Sequence, residues 1–161
     1  MRVGALVFEG DDVALVRRVN PEGLEFFVLP GGNVEAAEPV DQALGRELQE
    51  ELGLDLGKLG VKPELTWLLD AMLSRPGGIP PRKLHLIYRV YVDGGVRRGL
   101  RTWEHDDGLG SAPVVWMDYR RTADLRIFPP VPVSALVRPD VPVDAASVWL
   151  GTVGDEDYQW V

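Results

Sequence analysis

The chain contains no cysteine and only two histidines among its 161 residues. Without cysteine there can be no disulfide scaffold, no thiolate zinc site, no iron–sulfur cluster and no cysteine nucleophile. His85 and His105 do not lie at ligand spacing from another soft donor, so we expect a polar strand residue and a loop residue. The composition therefore excludes thiol chemistry and gives no sign of a histidine metal site.

Long apolar runs are also absent. The apolar stretch that follows Arg2 ends at Glu9 and is too short for a signal-peptide core or a membrane span. No other stretch approaches the roughly 18 uninterrupted apolar residues of a spanning helix. We therefore expect a cytoplasmic protein with no membrane partner.

Positive charge is in the minority. Seventeen Lys and Arg residues face 25 Asp and Glu residues, which gives a formal net charge of −8. Such a surface repels nucleic-acid backbones, so we expect no broad nucleic-acid binding. A phosphorylated substrate remains compatible with this charge, but it needs a local cationic site or a bound metal.

The chain does have enough apolar residues for one core. Hydrophobic residues make up 45% and charged residues 26%, and the length fits a single domain over residues 1–161. Prolines crowd the C-terminal third, at Pro129, Pro130, Pro132, Pro139 and Pro142. We expect residues 129–161 to form an extended, irregular extension of that domain.

Strands dominate the predicted secondary structure. Residue composition predicts strands over Arg2–Phe8, Val13–Arg18, Glu25–Leu29, Leu65–Leu73, Leu84–Val92 and Val114–Met117. One strong helix is predicted over Val40–Leu52, with Pro39 at the first helical position and Gly53 just past the end. A short helix is expected over Tyr119–Leu125. A mixed sheet with few helices indicates an α+β or three-layer α/β fold.

The predicted helix carries acidic residues on the side that should be buried. On a wheel of about 100° per residue, Glu51 falls about 20° from Leu44, inside the apolar stripe, and Glu47 falls about 60° from Leu44, at its edge. These like charges repel at a spacing of four, and the helix dipole disfavours acids near its C-terminus. Buried carboxylates are costly unless they are paired or bind a cation. A hard divalent cation, which prefers oxygen ligands, would remove all three objections.

A turn of two glycines precedes this helix. Gly31 and Gly32 permit positive φ and close approach of the backbone to a ligand. Gly32, then Glu38 after five residues, then Arg46-Glu47-Leu48-Gln49-Glu50-Glu51-Leu52-Gly53-Leu54 after seven more, resembles the complete Nudix box. Ala37 and Pro39 stand where this family usually has glycine and serine.

The resemblance implies a Nudix-type α/β/α sandwich with a mixed sheet and a loop–helix–loop catalytic motif. It implies that Mg²⁺ or Mn²⁺ is held by Glu47, Glu50, Glu51 and the carbonyl of Gly31. It also implies that Glu38 and Arg46 pair to fix the loop against the helix. The implied activity is metal-dependent pyrophosphohydrolysis, in which water attacks phosphorus in a nucleoside diphosphate linked to another moiety, such as a nucleotide or nucleotide sugar.

The general base stays open at this point. Glu50 is one candidate because it lies at the rim of the acidic cluster. In many relatives the base, or one more metal ligand, comes from a loop before a late strand, which here is Thr102–Asp107. Glu104 is the first choice in this loop, followed by Asp106 and Asp107.

Substrate contacts are expected from two groups of residues. Arg97 and Arg98 form a basic cluster in a Gly-rich hairpin and could bind a phosphate group. Phe26 and Phe27, just before the box, are candidates to stack on a base, with one of the two in the core. We assign the stacking role to Phe27.

Two other functions are compatible with the sequence. One is a catalytically idle Nudix domain that binds a nucleotide and regulates a partner, although such domains usually lose box glutamates and this chain keeps them. The other is an assembly role through the Pro-rich C-terminus with Trp149 and Trp160. The expected partner is a small nucleotide-type substrate, and a homodimer stays open.

Overall fold

The computed structural model of the protein describes residues 1–73, 82–106 and 110–157. Its strands are β1 (Arg2–Glu9), β2 (Asp12–Val19), β3 (Glu25–Val28), β4 (Glu64–Met72), β5 (Arg82–Tyr91), β6 (Trp103–Asp106), β7 (Gly110–Asp118), β8 (Ile127–Phe128) and β9 (Trp149–Gly154). Its α-helices are α1 (Val40–Leu52), α2 (Leu56–Leu59) and α3 (Gly94–Gly99). Short 3₁₀ helices cover Tyr119–Asp124, Val133–Ala135 and Ala145–Ser147. Within the described ranges, no helix has the length and apolar character needed to cross a membrane.

The strands form one mixed sheet in the order β6-β7-β2-β1-β5-β4-β9, with β3 beside β2 and β8 beside β3. β1 runs parallel to β5 and antiparallel to β2. β1 pairs with β2 only next to the turn that joins them, at Phe8 and Glu9. The start of β1 pairs instead with the chain that follows β3. The N–H groups of Ala5 and Val3 donate to the carbonyls of Pro30 and Gly32, each at 2.9 Å. These bonds fix the Gly31-Gly32 turn against the start of β1.

The two faces of the sheet bury different clusters. On one face, alternate residues of β1 pack under the apolar side of α1, which contributes Leu44, Leu48 and Leu52. On the other face, Leu6 and Phe8 pack against the chain that follows β7, through Tyr119, Val131, Val133 and Leu136. One layer is therefore the α1 helix, and the opposite layer is built largely from the C-terminal segment.

Helix α1 has the predicted bounds. Gly53 ends it with a φ of 70°, and the Gly53 N–H caps the last turn by donating to the carbonyl of Gln49. Pro39 differs slightly from its predicted place, because its ψ of 144° leaves it extended at the N-cap rather than at the first helical position. Ala37 has a φ of 63°, a conformation that glycine adopts more easily.

The Pro-rich extension is only partly irregular. It returns to the sheet as β9, which pairs parallel with β4. Arg89 on β5 is 2% exposed and donates to the carbonyls of Pro139, at 2.9 Å, and Val141. The Tyr91 hydroxyl also donates to Pro139. These two donors, one buried and one half-buried, tie the segment to β5, which the sequence did not predict.

Two predicted loops are also regular structure. The supposed Gly-rich hairpin around Arg97 is the helix α3. Asp93 caps its N-terminus, because the Asp93 side chain accepts a 2.8 Å hydrogen bond from the N–H of Val96. The supposed loop Thr102–Asp107 contains β6, which pairs antiparallel with β7. Local turn-forming composition suggested loops at both places, but an aspartate cap and a strand partner decide the conformation.

Candidate active site

The Gly31-Gly32 turn leaves no room for side chains. Gly31 has a φ of 138°, and a Cβ there would collide with the carbonyl of Val3. A Cβ on Gly32 would collide with the carboxylate of Glu47. Gly31 therefore needs to be glycine, whereas a side chain at Gly32 would displace the Glu47 carboxylate, which lies directly on the Gly32 backbone.

Glu51 reaches the same turn from one helical turn further along α1. Its Oε2 accepts a hydrogen bond from the Gly31 N–H, with 2.8 Å between nitrogen and oxygen. Burial raises the pKa of Glu51 to about 8, with additional upward contributions from the charges of Glu104 and Glu47. The Gly31 N–H and the charge of Arg2 act in the opposite direction. The site thus holds a carboxyl group in surroundings that favour a nearby positive charge.

Arg46 organises the outer part of the site. Its guanidinium donates to both carboxylate oxygens of Glu38, at 2.8 and 3.0 Å, and to the carbonyl of Asn33 at 3.0 Å. The hydrogen bonds from Arg46 are the main reason that the pKa of Glu38 falls to about 2. The same guanidinium donates to Glu47 at 2.8 Å and to the exposed Glu50 at 3.3 Å. The pairing of Glu38 with Arg46 that the resemblance implies is therefore present.

Glu104 lies on β6 and is 2% exposed. Its Oε2 accepts a hydrogen bond from Nη2 of Arg18 on β2, at 2.6 Å. Because α1 packs against β6 and the charge of Glu104 raises the pKa of Glu51, these two acids belong to one region. Of the other two candidates, Asp107 lies outside the described residues, and Asp106 is described only as backbone of β6.

Two cations that were not assigned to the site from the sequence flank the turn. Arg2 donates to the carbonyl of Gly31 at 3.1 Å, and Lys83 donates to Oδ1 of Asn33 at 3.0 Å. Their contacts join residues far apart in the chain, so spacing gave no signal. Arg18 was missed too, although strand alternation places it on the same face as Val16, under α1.

The arginines predicted to bind phosphate lie elsewhere. Arg97 donates to Glu9 at 2.8 Å and to Asp12 at 2.9 Å, and its guanidinium lies 4.5 Å from the ring centroid of Trp116. Glu9 ends β1 at the opposite end from the Gly31 turn. Arg98 is an exposed residue of the same helix, α3. The structure therefore does not bring these arginines together with the box glutamates.

Of the two phenylalanines before the box, Phe27 is the core residue. It is buried on the face opposite α1, with Leu6 and Leu15. Phe26 is half-buried and pairs in register with Arg18 on β2, which places it on the α1 face. The stacking role assigned to Phe27 is therefore incompatible with its burial.

The donor chemistry suits a hard cation, although the side chains are engaged with one another. Carboxylate oxygens of Glu47 and Glu51 and the carbonyl of Gly31 meet at one turn, and Mg²⁺ prefers such oxygen ligands. Glu47 and Glu50 bind Arg46, and the Gly31 carbonyl accepts from Arg2. Among the described residues, no three His, Cys, Asp or Glu side chains are placed to hold a metal ion in this arrangement.

Comparison with known proteins relates this sequence to the Nudix hydrolases. The NUDIX domain profile matches residues 1–130. A relative from Mycobacterium tuberculosis strain H37Rv, named "Putative 8-oxo-dGTP diphosphatase 2", is 43% identical over 60 residues. That match covers 37% of this chain and 43% of the relative, so the chain spans less than half the length of the curated relatives it matches.

Solved structures share the fold at low identity. The E. coli dihydroneopterin triphosphate pyrophosphohydrolase has a TM-score of 0.57 and 16% identity, covering 78% of this chain and 84% of that one. A Listeria monocytogenes protein described as a NUDIX hydrolase has a TM-score of 0.56 and 15% identity, covering 78% and 82%. Both support a mixed sheet with few helices. With the profile matched over most of its length, the chain belongs to the Nudix hydrolase family.

Proposed function

We propose that this Nudix protein is a metal-dependent pyrophosphohydrolase that cleaves a nucleoside diphosphate linked to another moiety. The observation that supports this most is the meeting of Glu47 and Glu51 at the Gly31-Gly32 turn. Two acids of one helix face would repel each other there, and burial already raises the pKa of Glu51. A divalent cation would stabilise both carboxylates in their charged form.

The residues that would hold Mg²⁺ or Mn²⁺ are Glu47, Glu50, Glu51 and the Gly31 carbonyl. When bound, the ion polarises phosphoryl oxygens and acidifies a water molecule. To bind the ion, Glu47 and Glu50 would give up their hydrogen bonds from Arg46. The Gly31 carbonyl would likewise give up its hydrogen bond from Arg2. Arg46 keeps its two bonds to Glu38 and so continues to fix the loop before α1.

Glu104 is the better candidate for the proton acceptor. A general base must lie within hydrogen-bond reach of the attacking water, directly or through one more water. Glu104 is buried beside Glu51, whereas the Glu50 side chain is 60% exposed and turned to Arg46. We therefore assign proton abstraction to Glu104 and metal binding to Glu50.

The substrate side of the site combines an aromatic ring with positive charge. Phe26, on the α1 face, replaces Phe27 as the residue that stacks on a base. Arg2 and Lys83 at the Gly31–Asn33 turn give a chain of net charge −8 the local cations that a phosphate chain needs. The name of the M. tuberculosis relative makes 8-oxo-dGTP the first compound to test.

The idle nucleotide-binding alternative is not favoured by any feature of the site. Glu38, Arg46 and all three candidate ligands are present, with Arg46 bonded to Glu38, Glu47 and Glu50. An idle domain has no need to retain a buried carboxylate such as Glu51, which burial makes costly to ionise.

A hydrolysis screen in which substrate and products are separated by anion-exchange chromatography tests the proposal. The panel contains 8-oxo-dGTP, the common nucleoside triphosphates, nucleotide sugars, ADP-ribose and dinucleoside polyphosphates, each with Mg²⁺, with Mn²⁺ and with EDTA. We expect turnover of at least one compound with metal and none with EDTA. Turnover that persists in EDTA would contradict metal dependence, and inactivity toward the whole panel would favour the idle alternative.

A further inference from the structure

Arg18 is a buried cation with no role in the chemistry described so far. It lies near the end of β2 and is 9% exposed. Strand alternation places it on the same face as Ala14 and Val16, which pack under α1. A charged side chain on the covered face of a sheet is costly unless a charged group compensates it.

The compensating group is Glu104, two strands away. The 2.6 Å contact joins side chains that are 9% and 3% exposed. The strand between them is β7, where Val114 pairs with Val16 and Ala112 pairs with Glu104. Continuation of the same register sets Ala112 between the two charged residues, and the small alanine side chain lets Arg18 reach across β7 to β6.

This contact constrains the acid that lies beside Glu51. A buried, charge-assisted bond holds a carboxylate in one orientation more firmly than an exposed ion pair does. The exposed pair of Arg17 with Glu25 on the same strand provides the contrast, with side chains 49% and 41% exposed. A group that accepts a proton or contacts a metal must be fixed in position.

We propose that Arg18 is a positioning residue, which holds the Glu104 side chain in one orientation in the region of Glu51 so that Glu104 can take part in hydrolysis. This inference rests on the proposed function. Arg18 acts through Glu104 and does not itself contact the reacting atoms.

A double-mutant cycle on the full chain tests the inference. Its variants are Arg18→Gln, Glu104→Gln and the double variant, assayed with Mn²⁺ and the compound of highest turnover in the screen. Arg17→Gln is the matched control, because Arg17 is adjacent on β2 but exposed. We expect Arg18→Gln to lower kcat by about 10-fold or more with KM changed less than about threefold, and Arg18→Lys to recover part of the loss.

Non-additivity separates positioning from a purely structural role. If Arg18 acts only through Glu104, adding Arg18→Gln to Glu104→Gln changes kcat by less than about twofold. If Arg18→Gln alone does not fold, the double variant still gives this comparison, since it buries two neutral amides in place of the ion pair. A double variant about 10-fold or more below Glu104→Gln, or full kcat in Arg18→Gln, would overturn the inference.

Mn²⁺ binding without substrate provides a second measurement. Electron paramagnetic resonance titration of the same variants gives a second cycle, in which the change in Mn²⁺ Kd caused by Arg18→Gln should differ between the wild-type and the Glu104→Gln background. Arg17→Gln should leave the Mn²⁺ Kd unchanged. If Glu51→Gln is inactive but Glu104→Gln is fully active, the proposed function stands and this inference fails. If the wild type hydrolyses nothing in the screen, the proposed function fails; coupled changes in the Mn²⁺ Kd then still support the positioning role, and additive changes, including none, overturn it.

Discussion

The backbone N–H of Gly31 donates a 2.8 Å hydrogen bond to the carboxylate of Glu51, and this bond joins the loop before α1 to the last turn of the helix. The carbonyl of the same glycine accepts from Arg2. One residue thus offers a donor to an acid and an acceptor to a cation. A divalent ion bound at the carbonyl would lie near the carboxylate and stabilise its charge.

Ala37 provides a test of the loop before α1. Its φ of 63° is a left-handed conformation that costs a residue with a Cβ about 1–2 kcal/mol. Ala37→Gly relieves that strain. It also increases the conformational entropy of the unfolded chain, which offsets part of the gain in stability. We expect a net increase in the free energy of unfolding of about 0.5–1 kcal/mol, measured by urea denaturation. An unchanged or lower midpoint would mean that the loop carries no strain at Ala37.

Arg89 tests how the C-terminal segment is held. Arg89→Met leaves the buried carbonyl of Pro139 and the half-buried carbonyl of Val141 without their donor, which we expect to cost about 2–5 kcal/mol of unfolding free energy. Arg138→Met is the matched control, since Arg138 forms an exposed pair with Asp140 and should change stability little. Equal losses of unfolding free energy for the two substitutions, measured by chemical denaturation, would show that the bonds of Arg89 do not hold the C-terminal segment in place.

Glu104 tests the assignment of the base. With the attacking water as its target, Glu104→Gln should lower kcat by about 10-fold or more and change KM less. Steady-state kinetics on the best substrate measures both constants, and Glu50→Gln is the comparison. A larger fall in kcat for Glu50→Gln, with Glu104→Gln near wild type, would transfer the base to Glu50.

Metal binding should appear in thermal stability. An ion that binds only the folded chain adds about 2.7 kcal/mol at 100 times Kd, which raises the Tm of a protein of this size by roughly 5–10 °C. The Glu47→Gln variant should lose most of this rise. A melting temperature that is the same in EDTA and in millimolar Mg²⁺ would count against a cation at these acids.

The sequence predicted the helix and its acids but not their surroundings. The 3.6-residue period placed Glu51 inside the apolar stripe of α1, and the structure has it half-buried at the Gly31 turn. By contrast, the contact of Arg18 with Glu104 spans 86 positions, and local pattern contains no information on such pairs. A charged residue on the α1 face of β2 was the one available signal. The helix around Arg97 was missed because the glycines outweighed the Asp93 cap.

The most direct test of the central claim is the turnover of Glu51→Gln. Glutamine keeps the size and the acceptor for the Gly31 N–H, but it removes the charge that would hold a cation. We expect kcat to fall at least about 100-fold while the fold remains intact by circular dichroism, because an essential metal or positioning group is lost. Asp41→Asn, which removes an exposed acid from the same helix, should retain activity. Full activity of Glu51→Gln on the identified substrate, at saturating Mg²⁺, would contradict a metal site built on these carboxylates.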